Sequence, residues 1–456
     1  MKYFLTLIQL WVGFLSICAS YPKANIWIIP SVESPQVYRN YAQTSKVHLE
    51  MARGEVEHIQ LVFPSKVNEE YRFTFDRYLK GIQISARELK KMNGYYDALV
   101  PFKNQLKCTD TLTAVWITVQ CPSRVPVGKY HQTIKIEGSK HFTIQLDYNV
   151  HHTTIPLKSS IPITVGVENR CMTECLNDKE ADKERQRWVD FVLSYRMTPV
   201  FGTQITPERW QYEHSFSPWA WNDKRSIRLL NDRRYSCYML PFFTLSENEL
   251  ASLLCNIQKK GKLKESLFYI WDEPAYMEDY EQIKRKVNII RKYASDARIL
   301  TTFFCGPRNG PRKGDLYAVF DYLKHHIHVA TISLAPCKGN EEEVQHIRYK
   351  VPEGIDWWSY VCWQPGGNEP NFLLQMKGIQ QRAIMWRTWK NGSQGFLYWN
   401  CNIYHKRNPF TYITDMPHGD GILIYPGDIL GCKGPIASAR LERWRDGCLL
   451  YTSPSP

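Results

Sequence analysis

The feature that most constrains the fold is an alternation of short apolar runs with amphipathic stretches, from about residue 160 to residue 400. Strands that alternate with helices in this way are typical of a parallel sheet whose faces are covered by helices. Eight strands in about 240 residues favour an α/β fold of the (β/α)8 TIM-like barrel type. The predicted strands are residues 163–167, 199–203, 237–243, 267–271, 298–304, 328–334, 355–362 and 395–399.

The amphipathic stretches predict helices at residues 179–195, 246–260, 278–294 and 372–390. In the first of them, Trp188, Val192 and Tyr195 recur on one face with helical spacing. Ser246 and Glu249 have the spacing of a capping box, in which each side chain binds the other residue's backbone N–H. These helices lie between the predicted strands, as a (β/α)8 barrel requires.

The residues before the barrel have a different pattern, with short apolar or alternating runs separated by turn residues such as Pro126 and Gly128. Many short strands at this spacing predict an antiparallel β-sandwich over residues 21–155. Pro156 and Pro162 mark the linker that follows it.

The N-terminus has the features of a secretory signal peptide: Lys2, an apolar run over residues 4–17, and small residues ending at Ser20. We therefore expect residues 1–20 to be removed on export and the mature protein to be periplasmic or extracellular. A lipid anchor at Cys18 is a less favoured alternative. No later run reaches 18 apolar residues, so no stable membrane span is predicted.

Composition narrows the class of ligand. The formal net charge is +13, and the 456 residues include 15 Trp, 27 Tyr and 19 Phe. Aromatic faces stack on sugar rings and on bases, and a basic surface attracts acidic partners. Export argues against nucleic acid as a partner, which leaves carbohydrate. The spacing of the histidines and cysteines predicts no metal site.

Asp272 and Glu273 directly follow the fourth predicted strand and precede Pro274. The carboxyl ends of barrel strands hold active sites, so this pair is a catalytic candidate, although acidic residues also cap helices. A retaining glycosidase needs two carboxyl groups about 5–5.5 Å apart on either side of the glycosidic bond. Adjacent residues of a strand point to opposite faces, so they do not easily meet this requirement. The spacing suits a substrate-assisted reaction better, in which a 2-acetamido group of the sugar is the nucleophile.

Aromatic and amide side chains gather at other predicted strand ends. The candidate sugar-binding residues are Trp271, Trp358, Tyr360, Trp363, Trp399 and Asn400. Aromatic walls with a few amide donors are typical of sugar pockets, but core packing is the alternative for about half of the aromatic residues. Tyr360, Trp399 and Asn400 are the stronger candidates because they lie nearest the strand ends, whereas Trp386 and Trp389 are expected in a helix core.

The segment Tyr269-Ile270-Trp271-Asp272-Glu273-Pro274 resembles the catalytic segment of glycoside hydrolase family 123. Later motifs fit the same family in the same order. They are the stretch 357–399, Gly419-Asp420-Gly421, Tyr425-Pro426-Gly427, Arg440-Leu441-Glu442 and Arg445-Asp446-Gly447. The resemblance covers about residues 160–447 and implies a β-sandwich followed by a TIM-like barrel.

The resemblance also implies an exo-acting, retaining β-N-acetylgalactosaminidase whose substrate is a glycan with a terminal 2-acetamido sugar. Asp272 would orient the acetamido group as it forms an oxazoline, and Glu273 would be the acid/base with a raised pKa. No metal or organic cofactor is implied. Two alternatives stay open: a non-catalytic carbohydrate-binding protein of a glycan-uptake system, and a glycosidase of this scaffold that acts on a different sugar. The oligomeric state is not predicted.

Residues 448–456 depart from the family pattern. After Asp446-Gly447 the resemblance implies that the final helix continues with acidic and aromatic residues. The sequence instead has Cys448-Leu449-Leu450 and then a segment rich in Ser and Pro. We therefore predict an aberrant tail that is unlike a helix end, as from a truncated or frame-shifted reading.

Overall fold

The computed structural model describes residues 26–76, 81–173, 176–206, 209–212, 228–241, 246–335, 341–404 and 419–452. The predicted signal peptide, residues 1–20, lies outside these ranges. No helix within them is both long and apolar enough to cross a membrane.

The N-terminal domain consists of two five-stranded sheets. Its strands are β1 (Trp27–Pro30), β2 (Lys46–Arg53), β3 (Val56–Pro64), β4 (Glu70–Phe75), β5 (Gln83–Met92), β6 (Tyr95–Pro101), β7 (Gln105–Lys107), β8 (Leu112–Gln120), β9 (Gly128–Glu137) and β10 (His141–Thr154). The first sheet has the order β1-β3-β8-β5-β6 and the second the order β2-β10-β9-β4-β7. The described pairs are antiparallel except β2 with β10, which is parallel. The domain is therefore a largely antiparallel sandwich.

The two sheets bury different numbers of faces, which explains the two kinds of apolar run in the sequence. Strands β9 and β10 alternate buried and exposed residues, because only one face of the second sheet is covered. Strand β8 is buried almost throughout. Its Ile117 lies in the core between the two sheets, whereas Trp116 belongs to the core shared with the barrel. The first sheet thus packs against the barrel as well as against the second sheet.

The C-terminal domain contains eight parallel strands that form a nearly closed barrel. They are β11 (Ile163–Glu168), β12 (Thr198–Thr206), β14 (Tyr238–Pro241), β15 (Ser266–Trp271), β16 (Arg298–Phe303), β17 (Val329–Ser333), β18 (Asp356–Val361) and β19 (Phe396–Tyr398), with β13 (Arg209–Tyr212) antiparallel at the edge beside β12. The order is β12-β11-β19-β18-β17-β16-β15-β14. All eight predicted strands are confirmed. Outside the barrel, β20 (Ile424–Pro426) pairs with β21 (Pro435–Ala437).

Helices cover the outside of this sheet. They are α1 (Asn169–Thr173), α2 (Asp178–Ser194), α3 (Glu247–Lys259), α4 (Met277–Tyr293), α5 (Ala318–Leu323), α6 (Glu341–His346), α7 (Gly378–Lys390) and α8 (Ala439–Thr452). The capping box of Ser246 and Glu249 is confirmed at the start of α3. Residues 372–377, predicted as helix, precede α7 without helical structure, and the short helices α1, α5 and α6 were not predicted.

The prediction of a non-helical tail is wrong for residues 448–452. Helix α8 continues to Thr452, and both Cys448 and Leu449 are buried. The physical reason is that Leu441, Trp444 and Cys448 recur at helical spacing on one face and pack into the shared core. Residues 453–456 lie outside the described part of the chain.

A buried ion pair joins α8 to the sandwich. The Arg440 Nη2 atom lies 2.9 Å from Asp97 Oδ2 on β6, and both side chains are almost fully inaccessible. The guanidinium also donates to the backbone carbonyls of Phe372, Gly419 and Ile422. A buried charge is tolerated only when it is both paired and hydrogen-bonded, and Arg440 meets both conditions.

We expect Asp97→Asn to lower the free energy of unfolding by about 3–5 kcal/mol, because it leaves the buried Arg440 charge uncompensated. Urea unfolding measures this loss. The matched control is Glu281→Gln, which breaks an exposed 2.7 Å pair with Lys284 on α4 and should change stability by no more than about 1 kcal/mol. Equal losses in the two variants would contradict the role given to the buried pair.

Candidate active site

The side chains of β15 alternate between the barrel interior and the surrounding helices. Leu267 and Tyr269 belong to the cluster inside the barrel, whereas Phe268 and Ile270 pack in the outer core. This alternation is the ordinary period of a strand. Continued without change, it would turn Asp272 and Glu273 to opposite faces.

A bulge and a left-handed residue interrupt that alternation at the carboxyl end of β15. The register against β16 shifts between Tyr269 and Trp271. Glu273 has φ +46°, a conformation that non-glycine residues rarely adopt. Bulges re-aim side chains, and strained backbone of this kind clusters at functional sites. The result is that Asp272 and Glu273 both reach hydroxyl groups that line the same end of the barrel.

Asp272 is held by two hydroxyl groups. Its Oδ1 atom accepts hydrogen bonds from the Tyr269 hydroxyl at 2.5 Å and from Thr302 Oγ1 at 2.8 Å. Thr302, on β16, also accepts a hydrogen bond from the Glu273 backbone N–H at 3.0 Å. One threonine hydroxyl therefore contacts both residues of the pair, and it supports the unusual backbone conformation of Glu273.

Glu273 has a different environment. The hydroxyl of the buried Tyr360, on β18, donates a hydrogen bond to Glu273 Oε1. Burial of the carboxyl group and the nearby charge of Asp272 raise the pKa of Glu273 to about 7, against the opposing effects of the Tyr360 hydrogen bond and Arg308. Both acidic residues retain exposed surface, so a ligand can reach them. A carboxyl group that titrates near neutrality can both donate and accept a proton.

Three predicted sugar-binding residues lie at or near this barrel end. Tyr360 contacts Glu273 directly. Trp363 follows β18 and is 45% exposed, which leaves its ring available to a ligand. Trp399 follows β19 and is half-buried, and its Nε1–H donates to Asp420 Oδ1 at 3.0 Å.

The side chains of the other three predicted residues have different surroundings. The Trp271 ring packs outside the barrel, with Lys286 Nζ of α4 4.9 Å from its centroid, because the bulge turns it outward. Trp358 is buried inside the barrel, two residues before Tyr360 and thus one layer deeper. Asn400 is fully buried, and its Oδ1 accepts the Asn402 backbone N–H at 2.9 Å. The sugar-binding role of all six residues stays a prediction.

Sequence reasoning did not single out Tyr269 or Thr302 as site residues. Tyr269 shares the inward face with the barrel interior, and its position three residues before Asp272 was a usable signal. Thr302 has no sequence signal of its own, because Thr301 and Thr331 are equally buried strand threonines. Within the described residues, no three His, Cys, Asp or Glu side chains come together as a metal site.

Solved structures match most of the length of this chain. A family 123 glycoside hydrolase from Clostridium perfringens superposes with a TM-score of 0.65 at 14% identity, covering 93% of this chain and 87% of that chain. A β-galacturonidase from Eisenbergiella tayi covers 87% of this chain and 89% of its own at 9% identity, with a TM-score of only 0.37. At 14% identity the likeness to the Clostridium perfringens enzyme shows the fold alone, and the match to the second structure supports no conclusion. No curated protein sequence matches the chain significantly.

The amino-acid sequence assigns the chain to a protein family, which the fold alone does not. The family model described as the glycoside hydrolase 123 catalytic domain matches residues 183–452. This stretch is more than half of the chain and includes the whole carboxylate pair, so the protein is of the glycoside hydrolase class. The chain belongs to glycoside hydrolase family 123, which confirms the resemblance drawn from the sequence.

We expect Thr302→Val to lower kcat/KM for a chromogenic aryl glycoside by about 10- to 100-fold, because it removes one hydrogen bond to a charged group and one to the Glu273 backbone. Thr302→Ser should restore most of the loss. The matched control is Thr301→Val on the same strand, since the Thr301 hydroxyl is buried without a partner among the described residues. An equal loss in that control would show that strand packing, not the hydroxyl, is responsible.

Proposed function

We propose that this protein removes terminal β-linked N-acetylgalactosamine from glycans by a substrate-assisted, retaining mechanism. The observation that carries the proposal is the pair of adjacent carboxylates, Asp272 and Glu273, which share one end of the barrel but have separate hydroxyl partners. Neighbouring carboxyl groups in unequal environments are typical of an acid/base group beside a group that stays ionised.

In the first step, the protonated Glu273 carboxyl donates its proton to the glycosidic oxygen as that bond breaks. The carbonyl oxygen of the sugar's own acetamido group attacks the anomeric carbon, which gives an oxazolinium ion. Both hydrogen bonds that described residues donate to Asp272 end on Oδ1, so Oδ2 can accept the acetamido N–H and stabilise the positive charge.

In the second step, the Glu273 carboxylate takes a proton from a water molecule as that water attacks the anomeric carbon. The oxazoline ring opens, and the configuration at the anomeric carbon is retained after two inversions. The raised pKa of Glu273, about 7, lets one group act first as acid and then as base near neutral pH.

The substrate class rests on further support. The Clostridium perfringens relative is described as a family 123 enzyme of glycolipid glycan hydrolysis. We extend that class to this chain as part of the proposal, together with export directed by residues 1–20. The choice of N-acetylgalactosamine follows from the family resemblance and from a carboxylate pair suited to a 2-acetamido sugar.

We expect Glu273→Gln to lower kcat/KM by about 10²- to 10⁴-fold for a 4-methylumbelliferyl β-N-acetylgalactosaminide, because the leaving oxygen needs its proton. The loss should be much smaller for a 2,4-dinitrophenyl glycoside, whose phenolate leaves unprotonated. Asp272→Asn should slow both substrates alike, since it acts on the acetamido group. Steady-state kinetics with both leaving groups separates the two roles.

Glu281→Gln, on the exposed surface of α4, is the matched control and should leave turnover unchanged. A thiazoline that mimics the oxazoline should inhibit the wild type. Equal turnover of an aryl β-galactoside would identify a glycosidase that needs no acetamido group. Tight glycan binding without cleavage would identify a carbohydrate-binding protein instead.

The pH profile provides an independent prediction. The acid must be protonated before attack, so kcat/KM should fall as pH rises through about 7, the pKa of Glu273. Tyr360→Phe removes a donor that stabilises the Glu273 carboxylate, so it should raise this pKa and move the alkaline limb to higher pH. Tyr148→Phe is the control, since that hydroxyl is buried in the sandwich without a partner among the described residues. A limb that stays fixed or moves to lower pH in Tyr360→Phe contradicts the assignment.

A further inference from the structure

The Gly419-Asp420-Gly421 turn is built to hold one carboxylate in place. Both glycines have left-handed φ angles, +85° for Gly419 and +68° for Gly421. A Cβ atom on Gly419 would lie 2.6 Å from Arg440 Nη1, and one on Gly421 would lie 2.5 Å from the Trp399 ring. Only glycine fits at these two positions, and the buried Arg440 also binds the Gly419 carbonyl.

Asp420 uses only one of its two carboxylate oxygens. Its Oδ1 atom accepts the Tyr398 hydroxyl at 3.1 Å and Trp399 Nε1–H at 3.0 Å, and the Gly421 N–H in turn donates to the Tyr398 hydroxyl. The residue is 4% exposed, and its Oδ2 atom is buried without a hydrogen-bond partner in the described part of the chain. A buried acceptor left without a donor is costly and calls for an explanation.

This carboxylate lies at the same barrel end as Glu273. Tyr398 is the last residue of β19 and pairs with Val361 of β18, so Trp399 and Cys362 follow two adjacent strand ends. Burial first, and then the charges of Asp420 and Glu273, raise the pKa of the Cys362 thiol. Cys362 therefore lies within electrostatic reach of both carboxylates.

We propose that Asp420 is a specificity-determining residue whose Oδ2 accepts a hydrogen bond from a ring hydroxyl of the terminal sugar. Its Oδ1 holds the half-buried indole of Trp399 beside that hydroxyl. The inference rests on the proposed function, because it takes the ligand at this barrel end to be a pyranose. A hydroxyl that donates to a charged acceptor shielded from bulk water forms a strong bond, and an analogue without that hydroxyl is rejected strongly.

The variant Asp420→Asn tests this assignment and keeps the size of the side chain. The amide oxygen can still accept from Tyr398 and Trp399, while the amide NH2 replaces the Oδ2 acceptor with a donor. We would measure binding of methyl β-N-acetylgalactosaminide and of its 3-, 4- and 6-deoxy analogues by calorimetry. Glu273→Gln and the double variant Glu273→Gln/Asp420→Asn are compared, so that no ligand is cleaved. Asp296→Asn in the same background is a surface control.

One deoxy analogue should bind about 10- to 100-fold more weakly than the intact sugar when Asp420 is present. Asp420→Asn should weaken binding of the intact sugar by a similar factor. It should change binding of that one deoxy analogue very little, because the hydroxyl that contacts Asp420 is already absent, and this non-additivity is expected of a direct contact. The proposal is overturned if the loss of affinity caused by Asp420→Asn is the same for the intact sugar and for all three deoxy analogues. It is also overturned if Asp420→Asn leaves the affinity for the intact sugar unchanged. Failure of every sugar to bind the Glu273→Gln protein also overturns it.

Turnover by the wild type separates this inference from the proposed function. If Asp420 is coupled to one sugar hydroxyl but the wild type releases no aryl group, the proposed enzymatic function is refuted and the proposed contact is supported. Release of the aryl group without coupling would refute the contact alone. Tryptophan fluorescence of Asp420→Asn should match the parent, because Trp399 keeps its hydrogen-bond acceptor.

Discussion

The guanidinium of Arg440 is the contact on which the relative placement of several segments depends. It binds Asp97 of the sandwich, the Phe372 carbonyl after β18, and the Gly419 and Ile422 carbonyls on either side of Asp420. A buried cation must keep all of these partners or lose stability. The two domains and the turn that carries Asp420 therefore all contact one buried charge.

Whereas the contacts of Arg440 stabilise the fold, the carboxylate pair has features that destabilise it. A bulge, a left-handed glutamate and two acidic groups side by side are each unfavourable in isolation. Here the hydroxyls of Tyr269, Thr302 and Tyr360 compensate for part of that cost. Burial and the nearby charge of Asp272 raise the pKa of Glu273, so the closeness of two acidic groups that is unfavourable for stability also provides a proton donor near neutral pH.

The sequence was most informative where one physical rule acted alone. Apolar periodicity and turn residues were sufficient to predict the eight barrel strands. Two acidic residues directly after a predicted strand indicated that Asp272 and Glu273 lie at an end of the barrel. Trp271 was misplaced because a bulge, which has no sequence marker here, reversed its face. Trp358 was misplaced because depth along a strand depends on register with its neighbours, and Thr302 could not be told from other buried threonines. The end of α8 was missed because family expectation was followed over the spacing of Leu441, Trp444 and Cys448.

The doubly covered first sheet bears on how this chain acquires its fold. The outer face of β8 is covered by α8, where the Arg443 guanidinium lies 5.7 Å from the Trp116 ring centroid. Asp97 pairs with Arg440, which lies 343 residues later in the chain. Domains usually fold in the order of synthesis. The face of the N-terminal sheet that packs on α8 can be completed only after residues 439–452 have been synthesised. The sandwich and barrel are two architectures that share part of one buried core, so removing either one would expose apolar residues of the other.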